Sequence, residues 1–499
     1  MPAPRPLSLG PQPGLPAGAL GVRRRGGGEW QSASPQAAPL TTHHSPRTSP
    51  LAFGLFLLVN ATLFLRPAEV WPAMRGLPIY QVLILASAVL SFGELRRRLG
   101  WRALKRQPIA VCVLGLLAAV VLSHLSHANL YEARIAAAGF FKTLLYFLLF
   151  VALVTTPERL RGFLATFCGC VTVMVSLCVA DYLGLYDFQF IQHVLDRHGV
   201  ELTGEAHRTF RMRGTGIFQD PNDLAMLIVA TLVLCAYLRG DRRGGAMRWG
   251  WLGATALLAA GLFCTQSRGG LLAAGLAGVT FLALRYGKTA AVLAGALGAA
   301  GLALLSGRQT EIDLEGGTGR ERLLLWRDGF EAIQSPEALF GIGYDAYADM
   351  AGLVAHNSFI HAFVELGLFG GTLFFGGFFF AALGLWRLRA ALSVEQSRAV
   401  SARTGAARPG SVSELIRFHP YLAAVLAGWC GGMLSLSRCY VAPTYMVLGL
   451  AAVSLGMAGR SLAPPRLLVW WDARHVKQLL AASAGCLVSF YLVVKVLAH

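Results

Sequence analysis

Three short stretches gather the residue types that can do chemistry. In the first, Arg211-Met212-Arg213-Gly214-Thr215-Gly216 leads into Asp220-Pro221-Asn222-Asp223. Guanidinium groups beside Gly-rich backbone amides and a helix N-terminus form an anion site. Asp220 and Pro221 are equally a well-made helix start, with Asp220 as N-cap and Pro221 at the first helical position. In the second, Thr265-Gln266-Ser267-Arg268-Gly269-Gly270 is a short turn between two apolar runs. An arginine there either snorkels to a headgroup or holds a phosphate, and the second reading is favoured. The third begins at Gly319-Arg320-Glu321-Arg322, passes through Phe340-Gly341-Ile342-Gly343-Tyr344, and ends at His356-Asn357-Ser358. His356 is expected to open a helical stretch running to Gly367. A helix dipole and nearby arginines there would lower its pKa and leave it neutral, able to accept a proton near pH 7; a capping or solvated histidine is the plain alternative.

The elements that must position these residues are apolar. Apolar runs recur from about residue 51 to 497 and predict about thirteen spanning helices. The fold class expected is all-α, a polytopic membrane bundle of about 12–13 spans with a long extracytoplasmic loop. Its divisions are a disordered cytoplasmic tail (1–50), nine membrane helices (51–306), the extracytoplasmic loop (307–355), three further helices (356–460), and a cytoplasmic linker with an extra C-terminal span (461–499). Arg96-Arg97-Arg98 with Arg102, Lys105 and Arg106 is the strongest basic loop, and it belongs inside. That choice puts about twice as many Lys and Arg on inner segments as on outer ones, and it puts the loops 184–213 and 307–355 outside. Apolar positions 323, 326, 330 and 333 recur at helical spacing, so Arg322 to Ile333 reads as a helix lying on the membrane surface.

Composition excludes most other classes. The chain has 499 residues, 55% hydrophobic and only 14% charged, with mean hydropathy +0.54. This is far more apolar side chain than one water-soluble core hides, so a cytosolic enzyme is ruled out. The net charge of +18 is ascribed to inner loops, not to nucleic acid, and no nucleic-acid partner is expected. Nine cysteines lie mostly inside apolar runs and read as small buried residues rather than disulfides or metal ligands. No phosphate-binding loop, nucleotide fingerprint, zinc spacing or Gly-x-Ser-x-Gly elbow occurs. Glu311-Ile312-Asp313-Leu314-Glu315 could place carboxylates on one strand face for a divalent ion, but a solvated loop is the favoured reading. Asp181, Lys142 and Glu365 lie in or near spans and are too scattered to suggest a proton path.

As a set and in this order, RMRGTGIFQDPNDLA (211–225), TQSRGG (265–270), GRERLLLW with FGIGYDAY (319–347) and HNSFIHAFVELGLFGG (356–371) resemble the O-antigen ligase and O-antigen polymerase family of bacterial membrane glycosyltransferases. The resemblance orders the chain from about 50 to 460. It implies a fold similar to lipid-dependent (GT-C-like) glycosyltransferases, with an active site facing the periplasm at the bacterial inner membrane. There a glycan on an undecaprenyl-diphosphate carrier passes to lipid A core, a glycan or a protein acceptor, with no cofactor and no required metal. By motif it implicates His356, Arg268 and Arg213 as catalytic, and Arg211, Arg320, Arg322, Asn222 and Asn357 as substrate-binding. The arginine-bearing tail before residue 50 and the span after about 479 depart from the usual pattern.

The chemistry agrees with this residue set. Diphosphate leaves readily when its growing charge is stabilised, and preorganised arginine forks can do that in place of a metal. The acceptor hydroxyl is a poor nucleophile, and a neutral His356 taking its proton would contribute about 10²- to 10⁴-fold. Ligase, polymerase and protein O-glycosylating activities all fit. The alternative from another class is a transporter or flippase for polyprenyl-linked or anionic lipids. Transporters concentrate charge at the bilayer midplane and usually carry repeats, whereas this chain concentrates charge in outer loops.

Overall fold

The computed structural model describes residues 49–200, 206–241, 244–304, 318–401, 410–462 and 467–497. Nearly all of the expected tail and the whole Glu311–Glu315 run lie outside these residues. The chain begins with α1 (Pro50–Leu65), a short α2 (Pro67–Val70), and α3 (Ile79–Leu90), bent into α4 (Phe92–Arg98). After the short α5 (Trp101–Leu104) come three long helices, α6 (Pro108–Leu125), α7 (Leu130–Leu153) and α8 (Pro157–Tyr182). A hairpin, β1 (Val194–Val200) and β2 (Ala206–Arg211), precedes α9 (Pro221–Arg239), α10 (Met247–Cys264), α11 (Arg268–Arg285) and α12 (Lys288–Leu304). The amphipathic α13 (Thr318–Ile333) and short α14 (Tyr347–Ala351) lead into α15 (Ser358–Ser401), α16 (Gly410–Met433), α17 (Ala442–Ser461) and α18 (Ala473–Leu497).

Proline places many of these starts. It occupies the first or second helical position of α1, α6, α8, α9 and α17, where its missing N–H is one that no helix could use. Ser49, Thr156, Asp220 and Ser267 cap α1, α8, α9 and α11 with side-chain oxygens.

All thirteen expected apolar runs are helical, and the chain is an all-α polytopic membrane protein. Length and composition together mark fewer of these helices as candidate spans. Among the described residues eight helices are long and apolar enough to span, or nine if α3 and α4, bent by 73°, count as one. The rest fall short for local reasons. α1 has only 16 residues. α10 opens on Met247-Arg248-Trp249-Gly250, and α16 carries Glu414, Arg417 and His419 in its first half. The 366–386 run is the middle of one long element, α15, that begins two residues after His356, at Ser358. The hairpin is an element the all-α expectation lacked; Val194 pairs with Arg211, so it delivers the strand directly into the first arginine motif.

α17 and α9 are the most deeply buried spans, with the other helices packed around them. α6 runs along α15, α11 along α16, and α10 along α9. On one side, Phe56, Phe150, Phe163 and Phe167 interlock at ring separations of 4.6 to 6.3 Å. Edge-to-face and offset rings of this kind give a span interface a defined register without polar atoms. α13 turns Phe330 inward, with Trp326 and Ile333 beside it, as the spacing predicted. It packs on α15 and on α18, so the extra C-terminal helix is part of the bundle. Thr372 and Ser483 tie α18 to α15 through their hydroxyls at 2.9 Å.

Candidate active site

The first two motifs are knotted together by one asparagine. Asn222 Oδ1 accepts from the Arg211 guanidinium at 3.0 Å and from the Ser267 hydroxyl at 2.7 Å. Arg211 Nε also donates to the Thr265 carbonyl at 3.1 Å, and the Met212 amide to the Cys264 carbonyl at 3.0 Å. Bonded in this way, the buried Arg211 and half-buried Asn222 act first as struts between the start of α9 and the turn before α11. Arg268, half-buried, is the first residue of α11 and follows directly on that knot. The glycines after it are required by packing. A Cβ at Gly269 would stand 2.4 Å from Ser435 Oγ, and one at Gly270 would stand 2.5 Å from Ala225 Cβ.

Asp220 caps α9, its Oδ1 accepting from the Asn222 amide at 2.7 Å. Asp223, in the first turn, is buried and binds a residue that the sequence did not single out. The Arg438 guanidinium donates to both Asp223 carboxylate oxygens. The Arg438 amide donates to Ser358 Oγ at 2.8 Å, and the Ser358 hydroxyl donates to the Leu436 carbonyl. The loop between α16 and α17 thus staples the start of α9 to the start of α15.

His356 lies just outside that start rather than in it. Its φ is +49°, a left-handed conformation that costs a non-glycine residue free energy, and the helix begins at Ser358. Asn357 is the cap, its Oδ1 accepting from the Phe359 and Ile360 amides at 3.0 and 3.2 Å. Its Nδ2 is fully buried and has no hydrogen-bond partner among the described residues. α13 fixes the chain beside His356 from the other side, through a 2.7 Å bond from Trp326 Nε1 to the Ala355 carbonyl. Burial holds the His356 pKa below its ordinary value of 6.5; the Arg322 charge adds to this, Asp220 opposes it, and Arg438 and His361 push the same way. The direction is the one expected, but desolvation leads and the arginines follow. These pairings place Arg322, Asp220, Arg438 and His361 within electrostatic reach of one imidazole. Arg320, by contrast, is exposed.

Arg213 bonds toward the segment before the hairpin. Its Nε donates to the Gln192 carbonyl, and its amide donates to His193 Nδ1 at 3.3 Å. His193 in turn lies 3.0 Å from Asp181, so Asp181 anchors the loop before the hairpin. Lys142 is exposed on α7. Glu365 pairs elsewhere: His361 Nε2 lies 2.9 Å from Glu365 Oε1, and His361 Nδ1 is 3.0 Å from Ser437 Oγ. Tyr347 stacks on the His361 ring at 5.3 Å, and Tyr440 meets it edge-on at 5.8 Å. This buried pair is a second feature missed in sequence. A His and a Glu four apart on one helix face were visible in the HNSFIHAFVELG string, but that spacing is common in helices.

The FGIGY segment completes the site from behind. α15 breaks at Gly367, whose φ of +65° and ψ of −170° are not helical. Carbonyls left near the break take new donors, Ile342 N to Val364 O and Gly343 N to Glu365 O, both at 3.1 Å. Gly341 and Gly367 touch backbone to backbone, and a Cβ on either would fall 2.4 Å from the other segment. Among the described residues no group of three or more His, Cys, Asp or Glu is arranged to hold a metal ion.

The site thus brings arginines and a desolvated histidine, His356, together at helix starts of a multi-pass membrane protein. Residues 253–375 match the family model described as O-antigen ligase. No curated protein matches the chain. The matched segment contains Arg268, Arg320, Arg322, His356 and Asn357, whereas Arg211, Arg213 and Asn222 precede it. That match supports glycan transfer of the O-antigen ligase or polymerase type in general, with a lipid-linked glycan donor and an acceptor in a membrane context.

Proposed function

We propose that the protein transfers or polymerises glycan from an undecaprenyl-diphosphate carrier onto an acceptor hydroxyl at the outer face of the bacterial inner membrane. The observation that carries this is the desolvated His356 with Arg322 and Arg438 in electrostatic range, inside a segment of O-antigen ligase type. His356 is the general base. It takes the acceptor O–H proton as that oxygen bonds to the anomeric carbon, and the carbon–oxygen bond to diphosphate breaks with its electron pair leaving on the diphosphate. A direct displacement of this kind inverts the anomeric configuration. Arg268 and Arg322 stabilise the leaving charge as planar forks, and Arg320 extends their field at the loop surface. Arg438 is already engaged by Asp223, so it acts by position and by the field it adds at His356. Arg211 and Asn222 hold Arg268 in place. Asn357, as the cap of α15, fixes the helix start beside His356 where substrate is bound. Arg213 orients the hairpin loop at the rim.

Purified protein in detergent, given lipid-linked glycan and an acceptor glycan or lipid A core, should release undecaprenyl diphosphate and form product, and should do so equally in EDTA. Failure to form product, together with uptake of the lipid-linked glycan into sealed proteoliposomes, would establish the transporter reading instead. Activity lost in chelator and restored by magnesium or manganese would show that a divalent ion, not the arginines, carries the leaving charge.

A further inference from the structure

A cavity lies at the opposite end of the bundle. α6 touches the candidate site with its C-terminal turn, where Ser123 Oγ accepts from the Tyr344 amide at 3.0 Å and His124 Nε2 lies 3.1 Å from the Tyr344 carbonyl. Eighteen residues of helix put the other end of α6 roughly 27 Å away, at about 1.5 Å per residue. α17 runs alongside, beginning four residues after Arg438 and ending beside the start of α6. Between these two ends and the strip Leu467 to Val469 is a cavity of about 490 Å³.

Its lining has one sign of charge. Arg98, Arg106 and Arg460 reach it from α4, from the turn before α6, and from the last turn of α17. No Asp or Glu is among its lining residues. Arg98 shares Glu94 with Arg97 just outside the cavity, so the local balance stays positive. The remaining wall is apolar, formed by Ile109, Leu455 and Leu468. Two donors converge at its floor: a point one methyl away from Gly456 is 3.7 Å from both Arg460 Nη1 and Gln107 Nε2. The first turn of α6 faces the same space, and its cap residue Gln107 makes no side-chain capping bond. The far wall is pinned in place: Arg387 Nη1 donates to the Leu468 carbonyl at 2.9 Å and the Trp471 amide to the Lys105 carbonyl at 2.8 Å.

We propose that this cavity binds the phosphate of an anionic lipid headgroup, with the acyl chains leaving along the apolar wall into the bilayer. Three guanidinium groups face a space that no carboxylate lines, with Arg98 alone paired to Glu94 outside it, so the excess positive charge favours an anion, and forked donors match phosphate oxygens. A soluble phosphate would satisfy the arginines but not the leucine and isoleucine wall at the end of two membrane spans, which favours a lipid. The site is remote from His356 and independent of the transfer reaction.

The test uses full-length protein in neutral detergent, following thermal unfolding as lipid is added. Phosphatidylglycerol should raise the Tm in a saturable way, phosphatidylcholine much less, and inorganic phosphate at the same concentration not at all. Arg98→Gln, Arg106→Gln and Arg460→Gln should each weaken the apparent affinity about fivefold, as expected for one basic group at an anionic lipid surface. Should these arginine variants fail to fold, Gly456→Leu keeps every charge and fills the floor, and it should abolish the lipid-dependent shift while leaving the lipid-free Tm close to wild type. An unchanged phosphatidylglycerol response in Arg460→Gln and Gly456→Leu, or an equal response to phosphatidylcholine, overturns the proposal. Protection by inorganic phosphate alone would assign the cavity to a soluble phosphate and overturn the lipid source.

Discussion

Both carboxylate oxygens of Asp223 are gripped by the Arg438 guanidinium, which joins the first turn of α9 to the loop between α16 and α17, 215 residues further along the chain. Asp223 is buried while Arg438 is about one-third exposed, so the pair is anchored on the carboxylate side. Asp223→Asn leaves a guanidinium with a weaker partner and should cost on the order of 2 kcal/mol of stability. Asp223→Leu combined with Arg438→Leu should recover much of that stability, yet not the activity, because His356 loses a neighbouring charge and α15 loses its staple. Thermal unfolding and glycan transfer measured on the same preparations separate the two effects. Additive stability losses in the double variant would mean that the pair is not coupled.

Gly367 and Gly341 make a second relationship that substitution can probe. Gly367→Ala puts a Cβ 2.4 Å from the Leu339 carbonyl and holds a non-glycine residue in a conformation it rarely adopts. A loss on the order of 1–3 kcal/mol is expected, with faster proteolysis in residues 336–347 as FGIGY detaches. Gly485→Ala is the control, since a Cβ there meets nothing within 4 Å and alanine favours the helix. Equal protease resistance in the two variants would remove FGIGY from the supports of the site.

The helices were legible in the sequence because apolar runs with proline at their starts leave little choice of element. The length of each helix was not, since apolarity alone does not distinguish a long helix from one of 16 residues or from the middle of a longer one. Arg211, Asn222 and Asp220 were visible as polar residues at a helix start, but which of them bind one another depends on how α9 meets α11. Arg438 was invisible for a related reason. It stands in Ser435-Leu436-Ser437-Arg438, which has no motif, and gains meaning only once folding brings it to Asp223. His356 was recognised by residue type and neighbourhood, while its left-handed backbone and its place before the cap could come only from the fold.

The lowered His356 pKa fixes the direction of the pH dependence. Because burial and Arg322 disfavour the protonated ring, the base stays available below its ordinary pKa of 6.5, and the acid limb of kcat should fall below pH 6.5. Arg322→Gln removes a positive neighbour and should move that limb upward. The same shift links to stability. A folded-state pKa below the unfolded value means that the unfolded chain binds the extra proton, so stability is kept above pH 6.5 and declines as pH falls through the folded value. An acid limb at or above pH 6.5 in wild type, unmoved by Arg322→Gln, would assign the limb to another group.

The strongest contrast is between two substitutions in the matched segment. His356→Ala should cut turnover by about 10²- to 10⁴-fold while leaving donor affinity nearly unchanged, because a base acts on the acceptor proton and contributes little to holding the diphosphate. Arg268→Ala should weaken both donor binding and turnover, since a guanidinium that holds diphosphate in the ground state holds it more strongly as charge accumulates. Arg268→Lys should rescue only part of the loss, because a point charge does not reproduce a planar fork. Arg211→Lys probes position rather than contact. It disturbs the bond to Asn222 that sets the turn before Arg268, so it should lower turnover and raise the donor KM in the same proportion as a mild Arg268 variant. The readouts are binding of the lipid-linked donor and single-turnover transfer, both at matched protein level. Near wild-type transfer by His356→Ala would return that residue to a structural role at the edge of α15 and leave the arginines as the whole of the catalytic apparatus.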